Sequence, residues 1–254
     1  MVNVRVIPCL LYDGSGLVKT VRFKDPVYIG DATNAIRIFN EKEVDELIIL
    51  DIKATVKKKR PNIELIKKIA SECFMPLCYG GGITTLQDIK DVVSAGVEKV
   101  SLNTIAVENP FFVKEAAKTY GGSTIVVTID YKKNLFGKLI VTGVGGSYKS
   151  KYDPVEFAQL VEEMGAGEIV VNSIERDGTM SGYDIETLSK ITSKVMIPVI
   201  AMGGAGKHED FSEAIKKAHV SAVAAGSMFV FQGKYKAVLI NYPDRNLIEN
   251  ISSI

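Results

Sequence analysis

The sequence predicts a (β/α)₈ barrel, and two observations indicate this fold. The first is a series of eight short, almost wholly apolar segments that alternate with amphipathic helical segments along 254 residues. Parallel strands buried on both faces have apolar interiors, and eight strand–helix units in about 250 residues are typical of a closed TIM barrel. The second is an internal repeat. A doubly wound open sheet is the alternative, although it usually has fewer strands.

The eight predicted strands share β-branched, apolar interiors. They cover residues 4–10, 46–51, 76–79, 99–102, 124–130, 168–173, 198–202 and 222–225. Between them, apolar residues recur at helical spacing, as at Ile185, Leu188 and Ile191. Residues of the type that cap helix N-termini precede three of these helices, at Asn62, Thr85 and Asp184.

The repeat has one offset at two separate places. The segment PLCYGGG at 76–82 aligns with PVIAMGG at 198–204, and ELIILD at 46–51 aligns with EIVVNS at 168–173, both 122 residues apart. The chain is therefore predicted to be two fused half-barrels, roughly 1–122 and 123–245. Because no linker or change of composition separates them, we expect a single domain over residues 1–254.

Composition excludes several classes of protein. With 31 basic and 30 acidic residues the net charge is +1, which argues against a nucleic-acid-binding surface. The longest apolar runs have only a few residues, so no membrane span is expected, and the N-terminus lacks a signal-peptide pattern, which predicts a cytoplasmic protein. The three cysteines, Cys9, Cys73 and Cys78, are expected to be buried, reduced thiols. Neither a metal nor another cofactor is predicted.

Polar residues and glycines cluster where the predicted strands end, which is the active-site face of such a barrel. Glycine runs follow strands three and seven, at 80–82 and 203–206, and each is followed by a small polar pair, Asn103–Thr104 or Gly226–Ser227. Glycine-rich helix starts favour phosphate, so two phosphate sites and an elongated bisphosphate ligand are predicted. Ordinary turn chemistry is the alternative for either run alone.

Asp130 ends the fifth strand after an apolar run. A carboxylate between apolar walls at a barrel mouth is a candidate general acid or base, and a salt-bridged or capping role is the alternative. The histidines, His208 and His219, fall at the start and the end of a predicted helix, so neither is a candidate catalyst.

Four charged residues lie at or near strand starts, on the barrel floor: Arg5, Glu46, Lys99 and Glu168. Pointing inward, they would form a neutral ring across the barrel axis. Such a ring is a stabilising plug or, alternatively, a gate for a small polar molecule.

Nine motifs spread over the chain resemble those of one family, the cyclase subunits of imidazole glycerol phosphate synthase in histidine biosynthesis. They are IPCL (7–10), DELIILDI (45–52), GGGI (80–83), KVSLNT (99–104), VENP (107–110), GAGE (165–168), RDGT (176–179), GYD (182–184) and GGAG (203–206). The resemblance covers essentially the whole length.

The resemblance implies a glutaminase partner on the barrel floor, around Glu98, and ammonia that passes through the barrel. At the mouth, ammonia would meet a bisphosphorylated ribulosyl aminoimidazole carboxamide, giving imidazole glycerol phosphate and a carboxamide ribotide. It also implies residue roles. Asp130 would be catalytic, the four floor charges would be the ammonia gate, and the ligand would contact Lys19 and Gly82, Asn103, Thr104, Asp177, Gly178, Gly204, Gly226 and Ser227.

The sequence departs from the family pattern at two positions that the resemblance implies are in the active site. Leu11 stands where the family has a second catalytic aspartate, Asp13 lies two residues further on, and Met202 replaces a small hydroxyl residue. The stretches 16–23 and 40–46 resemble a divergent branch linked to surface polysaccharides, in which the ammonia serves a separate sugar-amidating enzyme. Two hypotheses therefore remain: an ammonia-conducting subunit of that kind, and a working cyclase of histidine biosynthesis.

Overall fold

A computed structural model describes residues 4–252 and confirms the (β/α)₈ barrel. Eight parallel strands pair in chain order, and the eighth pairs with the first through Arg5 and Ala222, which closes the sheet. The strands are β1 (Arg5–Tyr12), β2 (Leu47–Asp51), β3 (Leu77–Gly80), β4 (Lys99–Leu102), β5 (Ile125–Lys133), β6 (Glu168–Ser173), β7 (Val199–Met202) and β8 (Ala222–Ala225). The single domain predicted over 1–254 includes residues 1–3 and 253–254, which lie outside the described range.

Helices follow the strands and pack on the outside of the barrel. They are α1 (Ala32–Glu41), α2 (Ile63–Glu72), α3 (Leu86–Ser94), α4 (Phe111–Tyr120), α5 (Pro154–Glu163), α6 (Ile185–Thr192), α7 (His208–Ala218) and α8 (Arg245–Ser252), and a short helix, Thr104–Glu108, precedes α4. The predicted caps are confirmed, because the side chains of Asn62, Thr85 and Asp184 each accept a hydrogen bond from a backbone N–H in the first turn. His208 and His219 lie at the two ends of α7, as predicted.

Two apolar clusters hold the barrel together. The larger one fills the space between strands and helices, and the smaller one fills the barrel interior. Because side chains alternate along a strand, Ile7 and Cys9 of β1 point into the barrel, whereas Val6 and Leu10 point towards the helices. Among the described residues the three cysteines form no disulfide; Cys9 and Cys78 are buried as expected, but Cys73 is only half-buried, since it lies at the exposed end of α2.

Within residues 4–252, three β-hairpin insertions that the sequence pattern does not predict lie on the mouth side. They consist of the strands Leu17–Val21 and Lys24–Gly30 after β1, Leu139–Gly143 and Tyr148–Lys149 after β5, and Phe231–Gln232 and Ala237–Val238 after β8. The first two extend the sheet by antiparallel pairing. For this reason β1 and β5 run two and three residues beyond their predicted ends.

In the part of the chain that the structure describes, no helix combines the length and the apolar character needed to cross a membrane.

Candidate active site at the barrel mouth

One cavity of about 410 Å³ opens at the carboxyl ends of the strands. The structure places in its lining all ten mouth residues singled out from the sequence: Lys19, Gly82, Asn103, Thr104, Asp130, Asp177, Gly178, Gly204, Gly226 and Ser227. The cavity thus joins the two glycine runs, the two small polar pairs and the buried acid. Whether each residue binds a ligand stays a prediction.

Asp130 lies in this cavity, almost completely buried. It pairs across the sheet with Asn172 of β6, whose side-chain Nδ2 donates a 2.8 Å hydrogen bond to Asp130 Oδ1. Burial raises the pKa of Asp130 to about 7, against the opposing effect of the hydrogen bond from Asn172. A carboxyl group that titrates near neutral pH is suited to act as a general acid or base.

Lys19 and Asp177 are two further buried ionisable residues of the cavity. Burial raises the pKa of Asp177 to about 6, and the charge of Lys19 opposes this shift. Lys19 lies on the strand Leu17–Val21, which pairs with both β1 and the strand Lys24–Gly30. Its Nζ donates to the backbone oxygen of Cys9, and burial lowers the pKa of this amine. The ammonium group therefore lies inside the mouth and close to Gly226.

The raised pKa values predict that the fold loses stability as the pH rises from about 4 to 7. Since Asp130 has a pKa of about 7 when folded and about 4 when unfolded, the folded state binds more protons in this range. We expect Asp130→Asn to flatten this dependence and to stabilise the protein at pH 8 by about 4 kcal/mol at most. Thermal unfolding followed by circular dichroism between pH 5 and pH 8 measures both effects.

Asp88→Asn is the control for that experiment. Burial acts to raise the pKa of Asp88, but hydrogen bonds from Arg60, Thr84 and Thr85 outweigh it and lower the pKa overall. This substitution should therefore destabilise the protein at neutral pH. An unchanged pH slope in Asp130→Asn would show that Asp130 is ionised at neutral pH in the folded protein.

On one side of the cavity, the predicted phosphate residues already bind protein atoms. Asn103 Nδ2 donates to the backbone oxygens of Thr128 and Thr142, at 3.0 and 3.2 Å. Thr104 Oγ1 accepts from the backbone of Val144. The backbone N–H of Gly82 donates to the Thr55 hydroxyl at 3.1 Å. Thr55, which the sequence analysis missed, is thus a lining residue that holds the first glycine run in place.

On the other side, Gly204 needs to be glycine. Its φ is +118°, and a Cβ there would collide with the backbone oxygen of Gly182. Ser227 is buried and begins a 3₁₀ turn, Ser227–Phe229, directly after Gly226. Two glycine-rich walls therefore face a common cavity, as the repeat predicts.

Apolar side chains form the inner end of the cavity, at the position for which the resemblance implies a second acid. Leu11 and Leu50 pack against the barrel-interior cluster, which ends at Met202. Asp13 does not take the place of the missing acid, because its carboxylate accepts hydrogen bonds from Ser15 and Gly16 in the turn after β1. Asp130 is therefore without a second carboxylate at position 11.

The floor residues form the predicted ring. The guanidinium of Arg5 contacts both Glu46 and Glu168, and Lys99 Nζ lies 2.9 Å from Glu46 and 3.0 Å from Glu168. Both glutamates are buried. Burial acts to lower the pKa of Arg5 and of Lys99, but the two glutamates outweigh it and raise both pKa values. Two positive and two negative charges are thus closely paired at the barrel axis.

Among the residues that the structure describes, two large apolar side chains are exposed on the same floor. Phe74, just before β3, is 88% exposed, and Met196, just before β7, is 94% exposed. They are 122 residues apart and so occupy equivalent positions in the repeat. The sequence alone does not reveal this pair, because apolar residues next to predicted strands look like core residues.

A barrel with this repeat, a buried acid at its mouth and four paired charges on its floor has the architecture of the barrel proteins of histidine biosynthesis. The family described as histidine biosynthesis protein matches residues 5–236. The chain belongs to this family and, within it, to the HisF group of imidazole glycerol phosphate synthase subunits.

Three relatives illustrate the similarity. The chain is 52% identical over 249 residues, 98% of this chain and 99% of the relative, to a Pseudomonas aeruginosa protein provisionally named imidazole glycerol phosphate synthase subunit hisF2. It is 48% identical over 244 residues, 96% and 94% of the two chains, to a Vibrio vulnificus protein provisionally named subunit hisF3. It is 43% identical over 232 residues, 91% and 92%, to the imidazole glycerol phosphate synthase subunit HisF of Hydrogenobaculum sp..

Proposed function

We infer that the chain is the barrel subunit of a glutamine amidotransferase complex, which receives ammonia from a glutaminase on its floor and releases it at its mouth. We propose that the released ammonia is used by a further enzyme in the cytoplasm. This enzyme would amidate a sugar of a surface polysaccharide. The observation that carries this proposal is the contrast between the charged ring on the floor and the residue at position 11 of the mouth. The ring Arg5–Glu46–Lys99–Glu168 is complete, whereas Leu11 puts an apolar side chain at the mouth position where the resemblance implies a second catalytic aspartate.

The barrel interior supports the conducting role. Along β6, Glu168, Val170 and Asn172 share the inward face, so that charge at the floor gives way to an apolar lining and then to a polar group at the mouth. The interior cluster also contains the small side chains Ala222 and Ala224. An apolar lining favours neutral ammonia over ammonium, because a charge would have to be desolvated there.

The second candidate function is cyclase turnover in histidine biosynthesis. It is favoured by the buried acid Asp130, whose pKa of about 7 suits proton transfer, and by the meeting of both glycine-rich walls in one cavity. Catalysis of that reaction at a useful rate would require another group to supply the proton transfer that Leu11 cannot perform.

Complex formation tests the docking part of the proposal. We expect a 1:1 complex with the class I glutaminase subunit in size-exclusion chromatography, and a rise in glutaminase activity on mixing. Because exposed apolar anchors dominate binding energies, Phe74→Glu combined with Met196→Glu should weaken the complex by roughly 10-fold or more.

The matched control lies on the opposite face. Leu135 and Phe136, at the hairpin tip after β5, are 94% and 90% exposed, and Leu135→Glu combined with Phe136→Glu should leave the affinity unchanged. Loss of binding in the mouth variant, together with full binding in the floor variant, would place the partner on the wrong face for the proposal.

A further inference from the structure

Asn172 lies at the top of the barrel interior, where the interior joins the mouth cavity. Its side chain continues the inward-facing row of β6 above Val170, and it lines the mouth cavity next to Asp130. It is 2% exposed, so both ends of its amide group need partners inside the protein or in a bound ligand.

The two ends of this amide differ. Nδ2 donates to Asp130 Oδ1 at 2.8 Å. Within residues 4–252, the amide oxygen Oδ1 has no hydrogen-bond partner, although it is fully buried. A buried acceptor without a donor destabilises the fold, and a ligand that donates a hydrogen bond there would recover this loss on binding.

Gly203 makes room for this oxygen. A Cβ at position 203 would collide with Asn172 Oδ1, so the absence of a side chain lets the amide oxygen lie against the second glycine run. Because Asn172 and Gly203 both line the cavity, the oxygen belongs to a side chain of the cavity wall.

Two acceptor groups therefore belong to neighbouring residues of the cavity wall: the amide oxygen of Asn172 and the carboxylate of Asp130. A hydroxyl group has one hydrogen and can donate to only one of them at a time. Ammonia, or the amino group of a larger ligand, has at least two N–H groups and can donate to both. The geometry thus favours a nitrogen compound over an alcohol.

We propose that Asn172 recognises an N–H group of the nitrogen compound bound at the mouth through Oδ1, while its Nδ2 positions the carboxylate of Asp130. This inference deepens the proposed function, on which it rests for the nature of the ligand. The N–H group belongs either to ammonia that arrives from the barrel interior or to an amino group of the mouth ligand.

Binding measurements test the recognition without turnover and without the glutaminase. Aminoimidazole carboxamide ribotide carries N–H groups on a ribose phosphate, and ribose 5-phosphate lacks them. By calorimetry, Asn172→Leu, which has a similar volume, should weaken ribotide binding about 10-fold and change ribose 5-phosphate binding less than about 2-fold. Equal losses for both probes, or no loss for either, would overturn the recognition role.

The side-chain amide signal of Asn172 in ¹H–¹⁵N NMR spectra distinguishes the two sources. A shift with ammonium chloride alone at pH 9 assigns the N–H to ammonia, and a shift only with the ribotide assigns it to the ligand's amino group. No shift with either probe would contradict the proposal. Failure of the glutaminase to bind would leave these results unaffected, so the two hypotheses fail separately.

The positioning role has its own readout, the pKa of Asp130 followed by ¹³C NMR of its carboxyl group. Since the hydrogen bond from Asn172 favours the ionised form, Asn172→Leu should raise this pKa further above about 7. Asn172→Ala serves if Asn172→Leu does not fold, and thermal unfolding checks both variants. An unchanged pKa in a folded variant would show that Asn172 does not hold the carboxylate.

Discussion

Leu11→Asp should raise cyclase turnover with ammonium salts and the ribulosyl bisphosphate substrate by about 10²–10⁴-fold, since one positioned acid–base group has that value. Leu11 points inward from the end of β1 and lines the same cavity as Asp130. The apolar cluster against which Leu11 packs, together with its strand partner Leu50, would raise the pKa of the new carboxyl group towards neutrality, which favours proton transfer. Formation of imidazole glycerol phosphate is the measurement.

Two variants control this experiment. Leu11→Asn has nearly the same shape as Leu11→Asp but cannot exchange a proton, so it should remain as slow as the wild type. Adding Asp130→Asn to Leu11→Asp should abolish the gain, because the reaction needs both acids. A fast wild-type enzyme that depends on Asp130 would instead support the histidine-biosynthesis function.

Lys99→Met should lower glutamine-driven transfer by roughly 10-fold while leaving the reaction fed with ammonium salts nearly unchanged. Removing this ammonium group leaves Glu46 and Glu168 with Arg5 as their partner in the ring. An excess carboxylate charge on the axis binds passing polar molecules more tightly and so raises the barrier to their passage. An increase of about 1.4 kcal/mol in this barrier lowers the rate tenfold. Free ammonium enters at the mouth and avoids the ring. The ratio of the two rates in one preparation is the measurement.

Lys99→Arg keeps the charge and should preserve the ratio of the two rates. The free energy of unfolding of Lys99→Met should fall by about 1–3 kcal/mol, less than for a fully buried pair because the side chain is 22% exposed. Equal losses in both reactions would show that the ring only stabilises the barrel.

The barrel could be predicted from the sequence because its strands are buried on both faces, so their apolar runs have sharp ends. The predicted bounds of β4, β6 and β8 are those of the structure. The mouth residues were also predictable, because the carboxyl ends of eight parallel strands must meet on one face.

The hairpins and the contacts between distant residues were not predictable. The first hairpin turns at Arg22 and Phe23, both with positive φ, where a two-residue turn normally has asparagine and glycine. The turn is held by contacts far along the chain, from Arg22 to the backbone oxygens of Asp177 and Glu175. Similarly, Asn172 resembles an ordinary strand-end residue until the register with β5 brings it against Asp130.

The repeat has a consequence for how the floor is recognised. Phe74 is equivalent to Met196, and Glu46 is equivalent to Glu168, so these pairs alone would present the same face after a half-turn about the barrel axis. Arg5 and Lys99 have no charged equivalents, because the corresponding strands of the second half, β5 and β8, begin with the apolar residues Ile125 and Ala222. A protein that binds this face thus contacts a nearly symmetric surface whose charge distribution is asymmetric. Those two cations are what distinguish one docking orientation from its 180° alternative, and an exchange of charge between the halves should reverse the preference.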